Sequence, residues 1–507
     1  MSLEDLRKEI DEADRLILDA FEKRINAGRR IGELKRLEGK PVYDPVREKE
    51  KIEDLKQRAG YESREYIERL YGTIFEVTKE HEEKKLFGVL GRSLPHTYSP
   101  QIHHLIAPGY LYGVIEREPD ELDELFNEKK YNGFNVTIPY KREAAKRCDE
   151  LSGDAIKIKT VNTVLFRDDG KVIGYNTDVF GFEFMLKDKG IDPKDKICVV
   201  FGTGGASEAV NIALAKMGAK EIRAVSRSGE INYGNVYERC ADGQIFINAT
   251  PVGMYPDTDK KVADLGRFPK AEAFADLIYN PSRTEMIRDA EEMGLKTAGG
   301  LSMLVAQAYK AASIFKGDKF FDEKKEAKVI RKVTRIMESS MKNIVFIGMP
   351  GSGKTTIAKE TAKRTGRDFI DLDEEYERRY GITPAREISE NGEEIFRQKE
   401  TEIAKDILKE SGKVISCGGG IVTRDENRRY LKENSTVIYI ERPLEALAKD
   451  GRPLTEREGV AKLFEKRKER YESWADLKIY IERKENSSSV VEEAISILKS
   501  SDMMLMK

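Results

Sequence analysis

The sequence has few cysteines and no long apolar stretch. Its 507 residues include four cysteines, Cys148, Cys198, Cys240 and Cys417, which lie far apart and form no CxxC pair. This spacing argues against a disulfide framework or a cysteine zinc site and fits a reducing cytoplasm. The apolar runs are far shorter than the roughly 18 residues of a membrane-spanning helix, and the first residues lack the apolar core of a signal peptide. We therefore expect a soluble cytoplasmic protein.

An excess of charge of one sign is also missing. The 89 Lys and Arg residues against 91 Asp and Glu residues leave a formal net charge of -2, so no overall field would hold nucleic acid or an anionic membrane. Apolar residues make up 39% of the chain, which is enough for folded cores. At roughly 100 to 200 residues per domain, the length predicts about three domains. We expect small molecules as ligands, rather than nucleic acid or membranes.

The pattern of apolar residues changes along the chain. Residues 1–84 carry them at helical spacing, which predicts an all-α bundle whose long first helix packs against another helix or another subunit. Short β-rich runs then alternate with helical stretches, which is typical of α/β layering with a largely parallel sheet. Residues 317–340 predict a closing helix followed by a linker. We expect three domains: a helical one at 1–84 and two α/β domains at 85–335 and 342–507.

A glycine-rich loop follows a predicted strand near residue 348. The segment from Gly348 to Thr355 matches GxxxxGK[ST], with a strand before it and a helix after it. In this motif backbone N–H groups and the helix N-terminus hold phosphates, Lys354 reaches the β and γ oxygens, and Thr355 ligates Mg²⁺. The loop predicts a nucleoside triphosphate site. Its predicted binding residues are Gly348, Gly351, Ser352, Gly353, Lys354, Thr355 and Thr356.

The residues after that loop narrow the acceptor of the phosphoryl group. Asp371 and Asp373 alternate at a strand end, so they face one side at the carboxyl edge of the sheet, where α/β proteins bind ligands. The further motifs are Phe396-Arg397, Gly418-Gly419-Gly420, Gly451-Arg452-Pro453-Leu454 and Arg467 before Tyr471. In this order and spacing the segment from 342 to 500 resembles shikimate kinase.

That resemblance implies phosphorylation of shikimate by ATP and Mg²⁺ on a P-loop domain with a parallel sheet. It implies that Asp373 holds the ring hydroxyls and assists deprotonation, while Asp371 supports Mg²⁺ through water. It also implies that Arg397 and Arg467 bind the substrate carboxylate, that the glycine triplet packs against the ring, and that Arg452 closes over the transferring group. Phosphoryl transfer needs mainly positioning and charge neutralisation, which these residues supply.

A second glycine-rich turn follows the strand KICVVFG. The predicted contacts of this turn are Gly202, Gly204, Gly205 and Ala206, which stand before a helical stretch. It indicates a dinucleotide site less specifically than GxGxxG, because the place of the third glycine is shifted. The next strand ends in Ser226-Arg227-Ser228, where an NAD site would show an acidic residue. Arg227 suits a 2′-phosphate and favours NADP; the alternative is an exposed charge at a strand end.

Six separated motifs around that turn resemble shikimate dehydrogenase over residues 86 to about 315. They are Thr97-Tyr98-Ser99-Pro100, Asn135 to Lys141, Val161-Asn162-Thr163, Asn176-Thr177-Asp178, Asn248-Ala249-Thr250 and Gly300 to Gln307. The resemblance implies reduction of 3-dehydroshikimate to shikimate with NADPH. It also implies a substrate lobe at 85–190, completed by C-terminal helices, and a Rossmann lobe for NADP at 191–295.

By that resemblance Lys141 and Asp178 form the catalytic pair. Lys141 exchanges a proton with the reacting oxygen, and Asp178 positions the substrate and Lys141. A lysine suits this task because a cation beside a developing alkoxide both stabilises the charge and can donate a proton. The implied ligands of the carboxylate and hydroxyls are Thr97, Ser99, Thr137, Asn162, Tyr279 and Gln307. A quinate-oxidising or NAD-preferring relative is the alternative for this domain.

The first 84 residues carry cations on one helix face. Arg24 and Lys35 lie eleven residues apart, almost three full turns, so they share a face within about 20°. Such a face can bind an anion. The full set of positions is Arg7, Arg24, Lys35, Asp44, Arg47, Glu48, Thr78 and Glu82. Their pattern resembles the all-helical chorismate mutases, which implies rearrangement of chorismate to prephenate.

In that resemblance arginines bind the two carboxylates of chorismate, and a partner subunit of a homodimer donates Arg7. Glu48 takes the hydroxyl, while Lys35 and Glu82 flank the ether oxygen. Many relatives carry Gln in place of Glu82, and a carboxyl can donate a hydrogen bond only when protonated. We therefore predict mutase activity that rises toward acidic pH. The alternative makes the helices a dimerisation or effector-binding module of a bifunctional dehydrogenase and kinase.

Overall fold

The computed structural model describes residues 2–37, 44–95, 97–128, 130–317, 322–447, 459–481 and 487–500. The chain forms two compact units, residues 1–176 and 177–507, and each is described by itself. The helices and strands confirm the predicted fold class, an N-terminal helical region followed by α/β domains. In the part of the chain that is described, no helix is long and apolar enough to cross a membrane.

The first unit begins with three helices, α1 (Leu3–Leu37), α2 (Pro45–Arg58) and α3 (Ile67–Glu83). Asp44 caps α2, because its side chain accepts a hydrogen bond from the Arg47 N–H at 3.1 Å and a proline follows it. The 35-residue length of α1 confirms the predicted long helix. One face of α1 leaves apolar side chains exposed, namely Leu3, Leu6, Ile10, Ile17, Ile31 and Leu34.

The same unit contains a six-stranded sheet in the order β2-β1-β3-β5-β6-β4. Its strands are β1 (Leu86–Gly91), β2 (Leu111–Glu116), β3 (Gly133–Val136), β4 (Glu150–Ser152), β5 (Thr163–Phe166) and β6 (Val172–Tyr175). Its helices are α4 (Ser99–Ile106), α5 (Leu122–Asn127), α6 (Lys141–Lys146) and α7 (Ala155–Ile158). Strand β5 runs antiparallel to both neighbours, while the other pairings are parallel. The sheet is therefore mixed, whereas the alternating pattern predicted a largely parallel one.

The second unit begins with α8 (Asp178–Asp188) and a five-stranded parallel sheet in the order β11-β10-β9-β7-β8. The strands are β7 (Ile197–Phe201), β8 (Glu221–Val225), β9 (Ile245–Asn248), β10 (Ala273–Asp276) and β11 (Lys296–Gly299). The helices are α9 (Gly205–Lys216), α10 (Val236–Arg239), α11 (Glu285–Glu292) and α12 (Leu301–Lys316). A close approach joins α8 to α12: a Cβ on Gly181 would lie 2.7 Å from the carbonyl oxygen of Met303.

A second parallel sheet of this unit has the order β13-β14-β12-β15-β16. Its strands are β12 (Asn343–Ile347), β13 (Phe369–Asp371), β14 (Val414–Ser416), β15 (Ser435–Glu441) and β16 (Leu477–Tyr480). The helices around it are α14 (Lys354–Thr365), α15 (Leu372–Tyr380), α16 (Pro384–Asn391), α17 (Glu393–Leu408), α18 (Glu426–Glu433), α19 (Val460–Trp474) and α20 (Ser487–Ser500). Buried apolar strand residues pack against helices on both faces.

The predicted linker before residue 342 is absent from the structure. Helix α13 (Glu323–Met341) runs on until only Lys342 separates it from β12. The Arg367 guanidinium holds this junction by donating to the carbonyl oxygens of Ser339 at 2.6 Å and Lys342 at 2.8 Å. The linker prediction was wrong because a residue distant in sequence satisfies the carbonyl groups at the helix end.

Polar contacts also join the two sheets' domains within the second unit. The contacts are Ser282 N to Asn434 Oδ1 at 3.2 Å, Ser411 Oγ to Asn280 Oδ1 at 3.1 Å and Arg288 to Glu433 at 3.5 Å. Ser411 and Asn434 precede β14 and β15, so they lie at the amino edge of the last sheet. The glycine loop after β12 lies at the opposite, carboxyl edge. The last domain therefore contacts the domain of the β7–β11 sheet through the edge of its own sheet that lies opposite its predicted phosphate site.

Candidate active sites

The loop after β12 is built around Gly348 and Lys354. Gly348 has a φ of +144°, and a Cβ there would lie 2.4 Å from the Ile440 carbonyl oxygen, so only glycine fits. Lys354 begins α14, and its Nζ donates to the carbonyl oxygens of Gly348 at 3.0 Å and Met349 at 2.9 Å. The ammonium group thus lies beside the loop and the helix N-terminus, where phosphates bind.

Oxygen donors suited to Mg²⁺ lie next to that lysine. The Thr355 hydroxyl donates to Asp371 Oδ2 at 2.9 Å and lies 3.1 Å from the Ser416 hydroxyl. Asp371 also accepts from the Asp373 N–H at 3.0 Å, which fixes its carboxylate at the start of α15. Mg²⁺ prefers oxygen ligands and keeps phosphates and waters around it. These residues fit a Mg²⁺ ion that would be shared with phosphates and waters. A site made of three or more His, Cys, Asp or Glu side chains does not occur among the described residues.

A cavity of about 530 Å³ opens beside the loop. The predicted residues that line it are Gly351, Gly353, Lys354, Thr355, Thr356, Asp371, Asp373, Arg397, Gly418, Gly419, Gly420 and Arg467. Gly348 and Ser352 lie within the loop itself. Arg452 lies outside the described residues. The structure therefore brings together the phosphate loop and the residues predicted to bind the acceptor.

Asp373 faces this cavity between two other carboxylates. Its side chain remains accessible to water, but the enclosing walls together with Glu400 and Asp371 raise its pKa to about 6. Lys354 and Arg397 oppose the rise with their positive charges. The carboxyl group of Asp373 can therefore exchange a proton close to neutral pH.

Arg397 and Glu400 form a buried ion pair against the glycine triplet. Arg397 Nη1 donates to Glu400 Oε2 at 2.7 Å, and a Cβ on Gly420 would lie 2.1 Å from the guanidinium. A Cβ on Gly418 would lie 2.7 Å from Glu400 Oε1. Arg467 donates to the Gly419 carbonyl oxygen at 3.1 Å. The triplet thus leaves room for the charged side chains that surround the cavity.

Glu400, a functional residue that the motifs above do not include, lines the cavity, and its Oε1 has no hydrogen-bond partner among the described residues. Its spacing from Arg397, three residues along the same helix, could have indicated it, because such residues share a helix face.

In the first unit, three predicted residues meet at the ends of β3 and β5. Val136, next to Thr137, donates its N–H to the Asn162 carbonyl oxygen at 2.8 Å, and the Val161 N–H donates to the Lys141 carbonyl oxygen at 3.0 Å. These contacts place Thr137, Lys141 and Asn162 together. Thr97 and Ser99 lie at the start of α4, where the Ser99 N–H donates to the Thr97 hydroxyl at 3.3 Å.

The remaining predicted ligands of that substrate lie in the second unit. Asp178 is the first residue of α8 and is buried. The hydroxyl of Thr177 donates to Gln307 Oε1 of α12 at 3.4 Å, so Gln307 lies beside the start of α8. Tyr279 follows β10 and is half-buried.

The glycine turn after β7 leaves its backbone accessible. Gly202 has a φ of +104°, and a Cβ there would lie 3.0 Å from the Ala249 carbonyl oxygen. A Cβ on Gly204 or Gly205 would meet nothing within 4 Å. A ligand can therefore approach that backbone at the start of α9, which continues through Ala206. At the end of β8, Arg227 and Ser228 are exposed and Ser226 is half-buried. This exposure is compatible both with the predicted 2′-phosphate site and with the alternative of an exposed charge at a strand end.

The helical head contains a cavity of about 450 Å³. The predicted residues that line it are Arg24, Lys35, Asp44, Arg47, Glu48 and Thr78. The guanidinium of Arg24 lies 5.0 Å from the centre of the Phe75 ring. Lys79, which the sequence analysis did not name, adds another cation to the lining. Several cations facing one cavity suit a ligand with two carboxylates.

One predicted residue of the head, Arg7, does not line that cavity. Arg7 is exposed on α1, 17 residues before Arg24 and so about 25 Å away along the helix. Glu82 belongs to α3, but its side chain lies outside the described residues.

Comparison with known proteins identifies the family of the central region. A shikimate dehydrogenase (NADP(+)) from Caldicellulosiruptor bescii is 38% identical over 260 residues, covering 46% of this chain and 89% of that protein. The chain belongs to the shikimate dehydrogenase family. A relative of the same description from Methanococcus maripaludis is 36% identical over 259 residues, covering 46% of this chain and 93% of its own length.

Family models match all three parts of the chain. The model for chorismate mutase type II matches residues 6–83, the one for the shikimate dehydrogenase substrate binding domain matches 89–164, and the one for shikimate kinase matches 350–499. A chorismate mutase/shikimate 5-dehydrogenase fusion protein from Clostridium acetobutylicum is 35% identical with a TM-score of 0.47, covering 50% of this chain and 98% of that one. The predicted multifunctional enzyme with dehydrogenase, kinase and mutase domains is confirmed.

Proposed function

We propose that this member of the shikimate dehydrogenase family catalyses three reactions. It reduces 3-dehydroshikimate to shikimate with NADPH, phosphorylates shikimate to shikimate 3-phosphate with ATP, and rearranges chorismate to prephenate. The observation that carries the proposal is that each matched region has its own cavity or backbone turn, lined by the residue types that its reaction needs.

In the kinase, Lys354, Thr355 and Asp371 hold the phosphates and Mg²⁺. ATP supplies the phosphoryl group, and Mg²⁺ neutralises its charge. Asp373 accepts the proton of the attacking hydroxyl, since a pKa of about 6 leaves it ionised at neutral pH yet able to take a proton. Arg397 and Arg467 bind the substrate carboxylate at the wall made by the glycine triplet, and Arg452 stabilises the transferring group.

In the dehydrogenase, Lys141 donates a proton to the carbonyl oxygen that becomes a hydroxyl. NADPH supplies the hydride. Asp178 positions the substrate, whose carboxylate and hydroxyls bind to Thr97, Ser99, Thr137, Asn162, Tyr279 and Gln307. The turn from Gly202 to Ala206 holds the pyrophosphate, and Ser226, Arg227 and Ser228 hold the 2′-phosphate.

Cofactor choice tests the proposed role of Arg227. Changing Arg227→Ala removes the cation that faces the 2′-phosphate, so we expect the KM for NADP to rise about tenfold or more while the KM for NAD stays unchanged. Equal effects on both cofactors, or faster turnover with NAD in the unchanged protein, would favour the NAD-preferring alternative.

In the mutase, the cavity cations hold chorismate in its compact conformer, and Lys35 and Glu82 stabilise the breaking C–O bond. Arg7 reaches this site from a partner subunit, because it lies about 25 Å from Arg24 on the same helix. We infer a homodimer through the exposed apolar face of α1. The four free cysteines and these metabolite substrates favour the cytoplasm as its location.

A second candidate, favoured by the same apolar face, has the helical head only dimerise the other enzymes. Assays of the three reactions on purified protein separate the two readings. Turnover of chorismate supports the trifunctional proposal. Its absence, together with loss of dimers when residues 1–84 are deleted, would support the dimerisation module instead.

A further inference from the structure

A cluster of buried polar side chains lies behind Asn162 in the substrate lobe and has no place in the reaction described so far. The ring of His103 stacks on Tyr112 with centroids 3.9 Å apart and an angle of 11° between the planes. His103 Nδ1 lies 2.7 Å from the Tyr110 hydroxyl. His103, Asn135 and Thr163 are buried, so these contacts are shielded from competing water.

The hydrogen bonds of this cluster run in one direction. The Tyr112 hydroxyl donates to Asn135 Oδ1 at 2.7 Å, and Asn135 Nδ2 donates to the Thr163 hydroxyl at 3.0 Å. The Thr163 hydroxyl in turn donates to Asn162 Oδ1 at 3.1 Å. A hydroxyl has one proton to donate. Once Thr163 accepts from Asn135, its own proton goes to the carbonyl oxygen of the Asn162 amide.

This order fixes which end of the Asn162 amide is the donor. Its Oδ1 is turned toward Thr163, so its Nδ2 is turned the other way. Asn135 Nδ2 also donates to the Asn162 carbonyl oxygen at 3.2 Å, which holds the backbone of the same residue. A flipped amide would place Nδ2 against the Thr163 proton and lose that hydrogen bond.

The cluster orients groups and does not supply protons. Burial lowers the pKa of His103 to about 3. Burial also raises the pKa of Tyr112 well above its usual range. Both groups are therefore uncharged at neutral pH.

We propose that Thr163, which contacts Asn162 directly, and Tyr112, which acts through Asn135 and Thr163, are positioning residues of the dehydrogenase. They hold the Asn162 amide with Nδ2 directed to a hydroxyl of shikimate. The inference rests on the proposed role of Asn162 as a substrate ligand. A correctly turned amide donates to the substrate without first reorienting, which strengthens binding of the ring. The nucleotide does not enter this chain of contacts.

Two substitutions of Thr163 in the full-length protein test the inference. Thr163→Val keeps the shape but removes the hydroxyl, whereas Thr163→Ser keeps the hydroxyl. We expect Thr163→Val to raise the KM for shikimate about tenfold, because one ordering hydrogen bond is lost on each side of the residue. The KM for shikimate of the Thr163→Ser variant should stay within about twofold of that of the unchanged protein. Neither change should move the KM for NADP.

Tyr112→Phe keeps the stacked ring and removes the first donor, so it provides an independent readout. We expect it to raise the KM for shikimate. In the double variant with Thr163→Val, the KM should rise by less than the two single effects combined, because both residues act on one chain of hydrogen bonds. Unchanged KM values for shikimate in both variants would overturn the inference. The inference would also be overturned if the KM for NADP changed as much as the KM for shikimate, or if Thr163→Ser raised the KM for shikimate as much as Thr163→Val does.

The same series separates this inference from the proposed function. If the unchanged protein does not oxidise shikimate with NADP, both fall. If the unchanged protein is active and the Thr163→Val and Tyr112→Phe variants behave like it, only the positioning role falls.

Discussion

At the scale of single residues, we predict that Asp373 sets the pH dependence of the kinase reaction. Its pKa is raised to about 6, first by the desolvating walls of the cavity that it faces and then by the charges of Glu400 and Asp371. Because the ionised form accepts the proton, we predict that kinase kcat/KM falls as the pH drops below about 6. A kinase profile that stays flat between pH 5 and 8 would contradict the role of Asp373.

Removing the charge of Glu400 should move that profile. Glu400→Gln takes away a negative neighbour, which lowers the pKa of Asp373, so we predict that the acid limb shifts to lower pH. Glu393→Gln is the matched control, because Glu393 also pairs with Arg397, at 3.3 Å, but is not among the groups that raise the pKa of Asp373. An equal shift in both variants would show that Arg397, rather than Glu400, controls the titration.

Glu82 makes a separate pH prediction for the mutase. A carboxyl group donates to the ether oxygen of chorismate only when protonated, so mutase activity should rise toward acidic pH and be lost at higher pH. Glu82→Gln should remove this dependence, since an amide donates at any pH. A flat mutase profile from pH 5 to 8 in the unchanged protein would contradict the prediction.

At the scale of elements, the proposed dimer depends on the apolar face of α1. Ile17 is 66% exposed on its apolar face, so Ile17→Glu would place a charge in the subunit contact. We predict monomers in size-exclusion chromatography and loss of mutase activity, with kinase activity kept. Lys8→Glu is the control, because nine residues turn the helix by about 180° and place Lys8 on the opposite face. Dimers that survive Ile17→Glu would exclude α1 as the subunit contact.

Local patterns predicted the elements better than their long-range contacts. The two glycine-rich turns and the 35-residue first helix follow from local sequence, because turn geometry and helical spacing are local properties. Three other features do not follow from local sequence: the antiparallel strand β5, the direct junction of α13 with β12, and the pairing of Arg397 with Glu400. Each depends on a packing partner that a local pattern does not contain.

At the scale of the whole molecule, the contact between the dinucleotide lobe and the kinase is a stability element. Arg288 is 4% and Glu433 5% exposed, and Arg288 also pairs with Glu285 at 2.8 Å. Glu433→Ala leaves the buried arginine paired with Glu285 and donating to the Arg283 carbonyl oxygen, so we predict a loss of about 2 to 3 kcal/mol in unfolding free energy, measured by denaturant titration.

The control for this prediction is Lys405→Ala. Lys405 pairs with Asp259 at 3.5 Å in an exposed position, so its loss should cost at most about 0.5 kcal/mol. Equal costs for the two variants would show that the buried pair does not hold the domains together. Both variants should keep dehydrogenase and kinase turnover, since neither residue lines a site.

We propose that one chain holds three independent enzyme sites, and a set of three single variants separates them. All three reactions are assayed on the purified Lys141→Ala, Lys354→Ala and Arg24→Ala proteins. We predict that each change abolishes one activity, of the dehydrogenase, the kinase and the mutase respectively, and leaves the other two activities within about twofold of those of the unchanged protein. A variant that loses none of the activities, or loses two together while still folded, would contradict it.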